Sequence, residues 1–337
     1  MLTALAALLL VVAAVLVVLY ELSAPSATPR KVTFEVDPGW GGKEVAARLH
    51  DQGLVRNARI FELYLRARHL DRSIGDGLYD LSPSMSAAQV AAALKKGGRP
   101  RTVEVVIPEG WRASTIAARL AKAGLGDVQS FLKLIHDPGD LRPSFVPAGD
   151  SLEGYLFPAS YTIPVRSTPR QVLTMMLARF RDELDTATRA KLRARGLSIH
   201  GWVTLASMVQ AEAANSGEMP IIAGVFLNRL DLGMPLQSDP TVAYGLGVAL
   251  PDLKPQDLHD DNAWNTYTRA GLPKGPIDSP GDAALMAVLD PVRTNAGGQR
   301  YLYFLHADVN GKTLFLPNTT LAAHNRDVRR YLQDSTR

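Results

Sequence analysis

The chain contains no cysteine. That excludes disulfides, thiol nucleophiles, cysteine-ligated zinc or iron–sulfur centres, and a lipidated N-terminal cysteine. It leaves the redox compartment open, because 337 residues bury enough core to dispense with disulfide staples. Other signatures are missing too. There is no His-Glu-x-x-His helix, no Gly-x-x-x-x-Gly-Lys-Thr phosphate loop and no Gly-x-Ser-x-Gly elbow, and the seven histidines lack metal-ligand spacing. No cofactor and no metal are therefore expected. Ser238, His324 and Asp239 supply the residue types of a hydrolytic triad, but nothing in their placement favours one. A net charge of +4 suits an anionic envelope surface and is too diffuse to argue for nucleic acid. What is present is a 46% hydrophobic chain, too apolar to be disordered and long enough for two or three domains.

The longest uncharged run opens the chain. Over residues 2–20 only Thr3 is polar, and no charge occurs before Glu21. A helix of that length spans roughly 28 Å, close to the hydrocarbon thickness of a bilayer. The run predicts an uncleaved anchor over residues 1–22, the alternative being a secretory signal cut near Ser26-Ala27. Arg30 and Lys31 follow the run and no base precedes it, so charge alone argues against a translocated C-terminus. Residues 23–30, rich in Ser, Pro and Ala, read as a linker.

An internal repeat follows at an offset of 71 residues. Gly39-Trp40 recurs as Gly110-Trp111, Ala46-Ala47-Arg48-Leu49 as Ala117-Ala118-Arg119-Leu120, and Gly53-Leu54 as Gly124-Leu125. Each copy opens with an alternating strand-like run, at residues 32–36 and 103–107. Two helical patterns follow, the second at residues 58–69 and 128–135. These strand–helix–helix units, at 31–101 and 102–165, are glycan-binding modules or plain packing platforms. A Pro/Gly-rich break over 138–164 marks a boundary or hinge strand before a mainly helical region at 166–337. Within that region, residues 301–306 and 313–316 flank Asn310-Gly311 as a hairpin.

One carboxylate stands out. The helical pattern over 202–214 carries apolar residues at 202, 205, 206, 209 and 213, with Glu212 at the edge of that stripe. A half-desolvated carboxyl keeps its proton nearer neutrality, as a general acid must. The plain alternative is a boundary glutamate in a salt bridge. Glu218 precedes the next helix, where it either caps the orphan N–H groups or touches substrate. Gln237, Ser238, Asp239, Thr241 and Tyr244 then cluster in a turn-rich stretch, and Asn265 and Tyr267 form a second cluster. Hydroxyls, amides and aromatic faces are what a sugar groove needs, although such sequences are also ordinary turn chemistry.

Longer runs carry a resemblance. Leu205-Ala206-Ser207-Met208-Val209-Gln210-Ala211-Glu212 leads into Gly224-Val225-Phe226-Leu227-Asn228-Arg229-Leu230, then Leu236-Gln237-Ser238-Asp239-Pro240-Thr241-Val242-Ala243-Tyr244-Gly245. With Ile107-Pro108-Glu109-Gly110-Trp111, Glu153-Gly154-Tyr155-Leu156-Phe157-Pro158, Gly271-Leu272-Pro273 and Tyr301-Leu302-Tyr303-Phe304, the chain resembles the MltG/YceG-like family of endolytic murein transglycosylases. The resemblance implies an α+β fold: a transmembrane helix, duplicated LysM-like modules, and a lytic-transglycosylase-like catalytic domain with a β-hairpin. It implies a single-pass protein of the cytoplasmic membrane with its bulk on the outer side, acting on peptidoglycan glycan strands beside peptidoglycan synthases. Glu212 matches the family's catalytic glutamate, and Gln210 stands where many members carry another Glu. Pro158-Ala159-Ser160-Tyr161 replaces a Pro-Asp-Thr-Tyr run, which removes an aspartate. A hydrolytic glycosidase generally needs a second carboxylate, whereas a transglycosylase uses the muramyl C6 hydroxyl as an internal nucleophile. A hydrolase using water and a non-catalytic glycan scaffold are the alternatives.

Overall fold

The computed structural model describes residues 2–333, with thirteen α-helices and six strands among them. Met1 and residues 334–337, at the outer ends of the expected anchor and catalytic segments, lie outside the described residues. The chain divides into two units, Met1–Thr102 and Val103–Arg337.

In the first unit, helix α1 (Leu2–Glu21) has the length and composition to cross a membrane, with a mean hydropathy of 2.8 and none of that span buried in protein. Arg56 ties its end to the unit. The guanidinium lies over the Tyr20 ring and donates to the Tyr20 hydroxyl and the Ala24 carbonyl. Strand β1 (Val32–Val36) pairs antiparallel with β2 (Gly77–Leu81), placing Phe34 opposite Tyr79, both buried. Between them run α2 (Gly42–Asp51) and α3 (Ala58–Ala67), and α4 (Ala87–Lys96) follows. The 3.6-residue spacing of Val45, Ala46 and Leu49, and of Phe61 and Leu65, turns one stripe of each helix into the core.

The second unit opens with the same order: β3 (Thr102–Val106), α5 (Ala113–Lys122), α6 (Val128–His136), β4 (Ser160–Pro164) and α7 (Pro169–Asp182). The repeat is thus longer than the three elements legible in the sequence. Each copy closes with a strand that pairs with its first, and then a third helix. Gly53 and Gly124 occupy equivalent left-handed positions just past α2 and α5, where a side chain would be strained. Unlike the first copy, the second does not keep its own core. One apolar cluster runs from Val105 and Ile116 through Phe180 and Trp202 to Leu289, so the expected boundary at 165/166 lies inside this unit.

Helix α8 (Thr186–Arg195) leads to α9 (Ile199–Glu212), which is packed by α10 (Met219–Asp231), α11 (Asp239–Leu246) and α12 (Asp282–Leu289). Helix α9 does not bury only the single apolar stripe expected of it. Every residue from Gly201 to Val209 is buried, because neighbours cover α9 on all sides. The stretch read as turn-rich from Ser238 is also a helix, α11, opened by Pro240 in its first turn. Strands β5 (Tyr303–Val309) and β6 (Lys312–Asn318) form the hairpin, with Asn310 and Gly311 both at positive φ, and α13 (Leu321–Val328) packs on it.

Candidate active site

Glu212 is the last residue of α9, because Ala213 turns the backbone extended. The following loop returns the chain through Glu218 into α10. That helix carries two buried polar residues in an otherwise apolar run. Asn228 donates to the Arg293 and Tyr301 carbonyls at 2.8 Å each. Arg229 donates from Nε to Leu302 O at 2.7 Å and from Nη1 to Leu236 O at 2.8 Å. Together they hold the hairpin entry and the segment before α11 against α10. Gln237 sits in that segment at φ +51, a conformation few side chains adopt, and its N–H donates to Thr266 O.

These elements enclose an open cavity of about 720 Å³. Glu212, Gln237, Asp239 and Tyr267 line it, with Arg229 and the hairpin residues Tyr303 and His306. The Ser238 hydroxyl donates to Glu212 Oε1 at 2.6 Å. Burial pushes the Glu212 carboxyl up to about 7, opposed by the Ser238 hydrogen bond and reinforced by the Asp239 charge. Glu218 behaves in the opposite way. Burial would raise it, but His306 Nε2 at 2.9 Å and donors from Ala214 N–H and Asn215 hold its carboxyl below the usual range. Two glutamates six residues apart therefore have opposite protonation tendencies.

The sequence candidates separate on this geometry. Glu212, Gln237, Asp239 and Tyr267 share the cavity, and the Tyr267 hydroxyl donates to Asp239. Ser238 lies behind, buried, with its hydroxyl on Glu212 and not on a histidine. Glu218 reaches the cavity only through His306, and it does not cap α10 with its side chain. Thr241 and Asn265 are fully buried, on the Ser238 carbonyl and on the Leu258 and Asp260 carbonyls. Tyr244 points elsewhere, donating to Glu153 at 3.1 Å. Sequence reasoning missed Arg229, Tyr303 and His306 as cavity residues, and named His324 only within a triad that nothing favoured. An Asn-Arg pair inside the apolar run of α10 was the available signal for Arg229. Nothing marked His306, because its approach depends on how the hairpin packs.

A second polar cluster joins the two halves of this unit. Glu153 Oε1 accepts the Ala113 N–H that begins α5, and Oε2 accepts the Tyr244 hydroxyl. Burial pushes Glu153 up to about 7, and burial beside Glu153 raises Asp278 well above the ordinary carboxyl range.

Known proteins share this arrangement of sequence. An endolytic murein transglycosylase of Streptococcus pneumoniae serotype 2 is 29% identical over 327 residues, covering 88% of this chain. The chain spans 58% of the length of that relative. The endolytic murein transglycosylase of Bacillus subtilis strain 168 is 27% identical over 314 residues, covering 89% of this chain and 85% of its own. A 2.6 Å crystal structure of a YceG-like protein from Listeria monocytogenes superposes with a TM-score of 0.57 at 31% identity, over 89% of this chain and 99% of that one. Residues 34–330, which span both repeat copies, the Glu212 cavity and the hairpin, match the YceG-like family, and the chain belongs to that family.

Proposed function

We propose that the protein is an endolytic peptidoglycan transglycosylase, a lyase that cuts MurNAc–GlcNAc bonds within nascent glycan strands and so terminates their elongation. The observation that carries the reading is a glutamate held near neutrality by burial, at the wall of an open cavity large enough for sugars. Two relatives named endolytic murein transglycosylases match over most of this chain. In this reading α1 anchors residues 1–22 in the cytoplasmic membrane, and residues 23–30 are the linker. Residues 31–101 and 102–165 are the LysM-like modules, and residues 166–337, with the second module sharing their core, carry catalysis on the outer side. Peptidoglycan synthases supply the strand.

Glu212 works alone as acid and base. One carboxyl oxygen is fixed by Ser238, and the other carries the proton to the glycosidic oxygen as the C1–O bond of MurNAc breaks. The GlcNAc hydroxyl leaves with that proton. The carboxylate then accepts the proton of the muramyl C6 hydroxyl as O6 closes on C1, giving a 1,6-anhydroMurNAc end with no water consumed. Gln237, Asp239 and Tyr267 hold the sugars directly, and Ser238 sets the acid. Thr241, Asn265, Tyr244 and Glu218 act through the segments that they brace.

Product mass tests the reaction: full-length protein with un-crosslinked strands gives ends one water lighter than hydrolysis products. Ordinary reducing ends would replace this reading with a hydrolase in which Asp239, in the same cavity, positions water. The pH profile tests the acid. Because Glu212 must enter protonated, kcat/KM is flat below about 7 and falls above it. Asp239→Asn removes a charge that raises Glu212, so the falling limb moves to lower pH. Ser238→Ala removes a hydrogen bond that lowers it, so the limb moves up. Limbs that move together, or stay still in both variants, would place the titrating group elsewhere.

A further inference from the structure

Two sequence runs that the cleavage chemistry leaves unused, residues 107–111 and 153–158, meet the segment of residues 276–279 at one place. The Glu109–Trp111 segment is joined to Ser279 by backbone bonds from Gly110 N–H and to Trp111 O, at 2.8 and 3.0 Å. Gly154, after Glu153, packs against Pro276. Beside these contacts lies a cavity of about 290 Å³, lined by Glu109, Arg112, Gln210 and Asp278. It shares Pro240 and Leu250 with the Glu212 cavity, and Gln210 and Ala211 belong to the last turn of α9, next to Glu212. An occupant would therefore adjoin the sugar being cut.

The lining has unspent recognition capacity. Asp278 is 5% exposed, and its Oδ1 has no hydrogen-bond partner among the described residues. A buried polar oxygen left in this way is destabilising until a partner arrives. The Arg112 guanidinium rests 5.2 Å over the Tyr244 ring and makes no hydrogen bond or ion pair among the described residues. Glu109 is exposed at the rim, so the cavity presents a cation and an anion to its occupant. Sugar hydroxyls offer neither charge, and a muramyl residue stripped of its peptide offers only its lactyl carboxylate, close to the ring and with no amine. The stem peptide, which branches from the muramyl lactyl group, carries carboxylates and, when un-crosslinked, a free amine.

We infer that this cavity is a subsite for the stem peptide: Arg112 pairs with a peptide carboxylate, Asp278 hydrogen-bonds beside it, and Glu109 faces the free amine. Burial pushes the Asp278 carboxyl well above its ordinary range, which favours the protonated form, the one that donates to a ligand carboxylate. The subsite rests on the transglycosylase reading and adds that the enzyme senses peptide as well as glycan.

The test gives full-length protein in detergent two un-crosslinked substrates, strands with stem peptides and strands stripped by an amidase, and compares kcat/KM. Wild type is expected to prefer peptide-bearing strands by about 10-fold or more, the scale of a charge-assisted hydrogen bond. Arg112→Gln brings that ratio to within about 2-fold of unity. Arg112 makes no side-chain cap to α5, so the change leaves that helix its other contacts. Glu109→Gln provides a second readout: it lowers the ratio on free-amine peptides but not on peptides whose amine is acetylated. An undiminished ratio in Arg112→Gln, or equal cleavage of both substrates by wild type, would overturn the subsite while leaving the transglycosylase standing. Cleavage of neither substrate would remove the transglycosylase reading and the subsite with it.

Discussion

Replacing Glu212 with Gln lowers strand cleavage by about 10³-fold, the size of a general acid's contribution. The amide keeps the shape of the side chain and an oxygen for the Ser238 hydroxyl, so the cavity keeps its geometry and loses only the proton. In the proposed mechanism one carboxyl serves as both acid and base, so both halves of the reaction are expected to fail together. Neither neighbour substitutes for it. Asp239 is exposed and accepts from Tyr267, and Glu218 is held ionised by His306 and two further donors. The measurement is mass spectrometry of strand ends, with unfolding of the variant followed in parallel. Cleavage within 10-fold of wild type, on a folded variant, would dismiss Glu212 as the acid; that threshold corresponds to about 1.4 kcal/mol of transition-state stabilisation.

Gly154→Ala destabilises the second unit by about 3 kcal/mol, combining left-handed strain with overpacking. Gly154 sits at φ +86, and an added Cβ would lie 2.4 Å from Pro276 Cβ and 3.0 Å from Val203 Cγ1. Neither neighbour can swing away. Pro276 is a ring, and the next residue is tied by its N–H to Ser207 Oγ in the middle of α9. Relief has to come from the backbone that carries Glu153 on one side and Asp278 on the other, so strand cleavage falls as well. Gly196→Ala is the matched comparison. Gly196 also has positive φ, at +67, but an added Cβ there meets nothing within 4 Å, so only the conformational cost of about 1 kcal/mol remains. Denaturant midpoints of the two variants separate strain from clash. Equal shifts would show that the Pro276 contact relaxes freely.

How far the chain could be read in advance depended on the range of the signal. The apolar run of α1, the repeat of strand and helices, the Asn310-Gly311 hairpin and the placement of Glu212 on a helix are all local patterns. Each is written in spacing along a few turns of chain, and the structure forms each of them. The closing strands β2 and β4 were harder, because a two-stranded pairing across 40 or more residues leaves no trace in either segment alone. The central helix α9 was misread for a related reason. A helix covered on one side shows a stripe, but one covered by α10, α11 and α12 buries Val203, Thr204, Ser207 and Met208 as well.

The candidate site divides along the same line. Residue types alone put Glu212, Gln237, Asp239 and Tyr267 under consideration, and the same types put Thr241 and Asn265 there too. Only packing separates them, by turning the first group into one cavity and spending the hydroxyl and amide of the second on buried carbonyls. Ser238 meets Glu212 across 26 positions and His306 meets Glu218 across 88, distances that no motif encodes. By itself, then, the sequence determined the apolar first helix, the strand and helices that open each repeat copy, the hairpin and the family, because helical and strand periodicity and local turn chemistry act within a few residues. The tertiary structure decided which carboxyl is pushed up toward neutrality and which is held down, since desolvation and neighbouring charge depend on what the fold brings within a few ångströms.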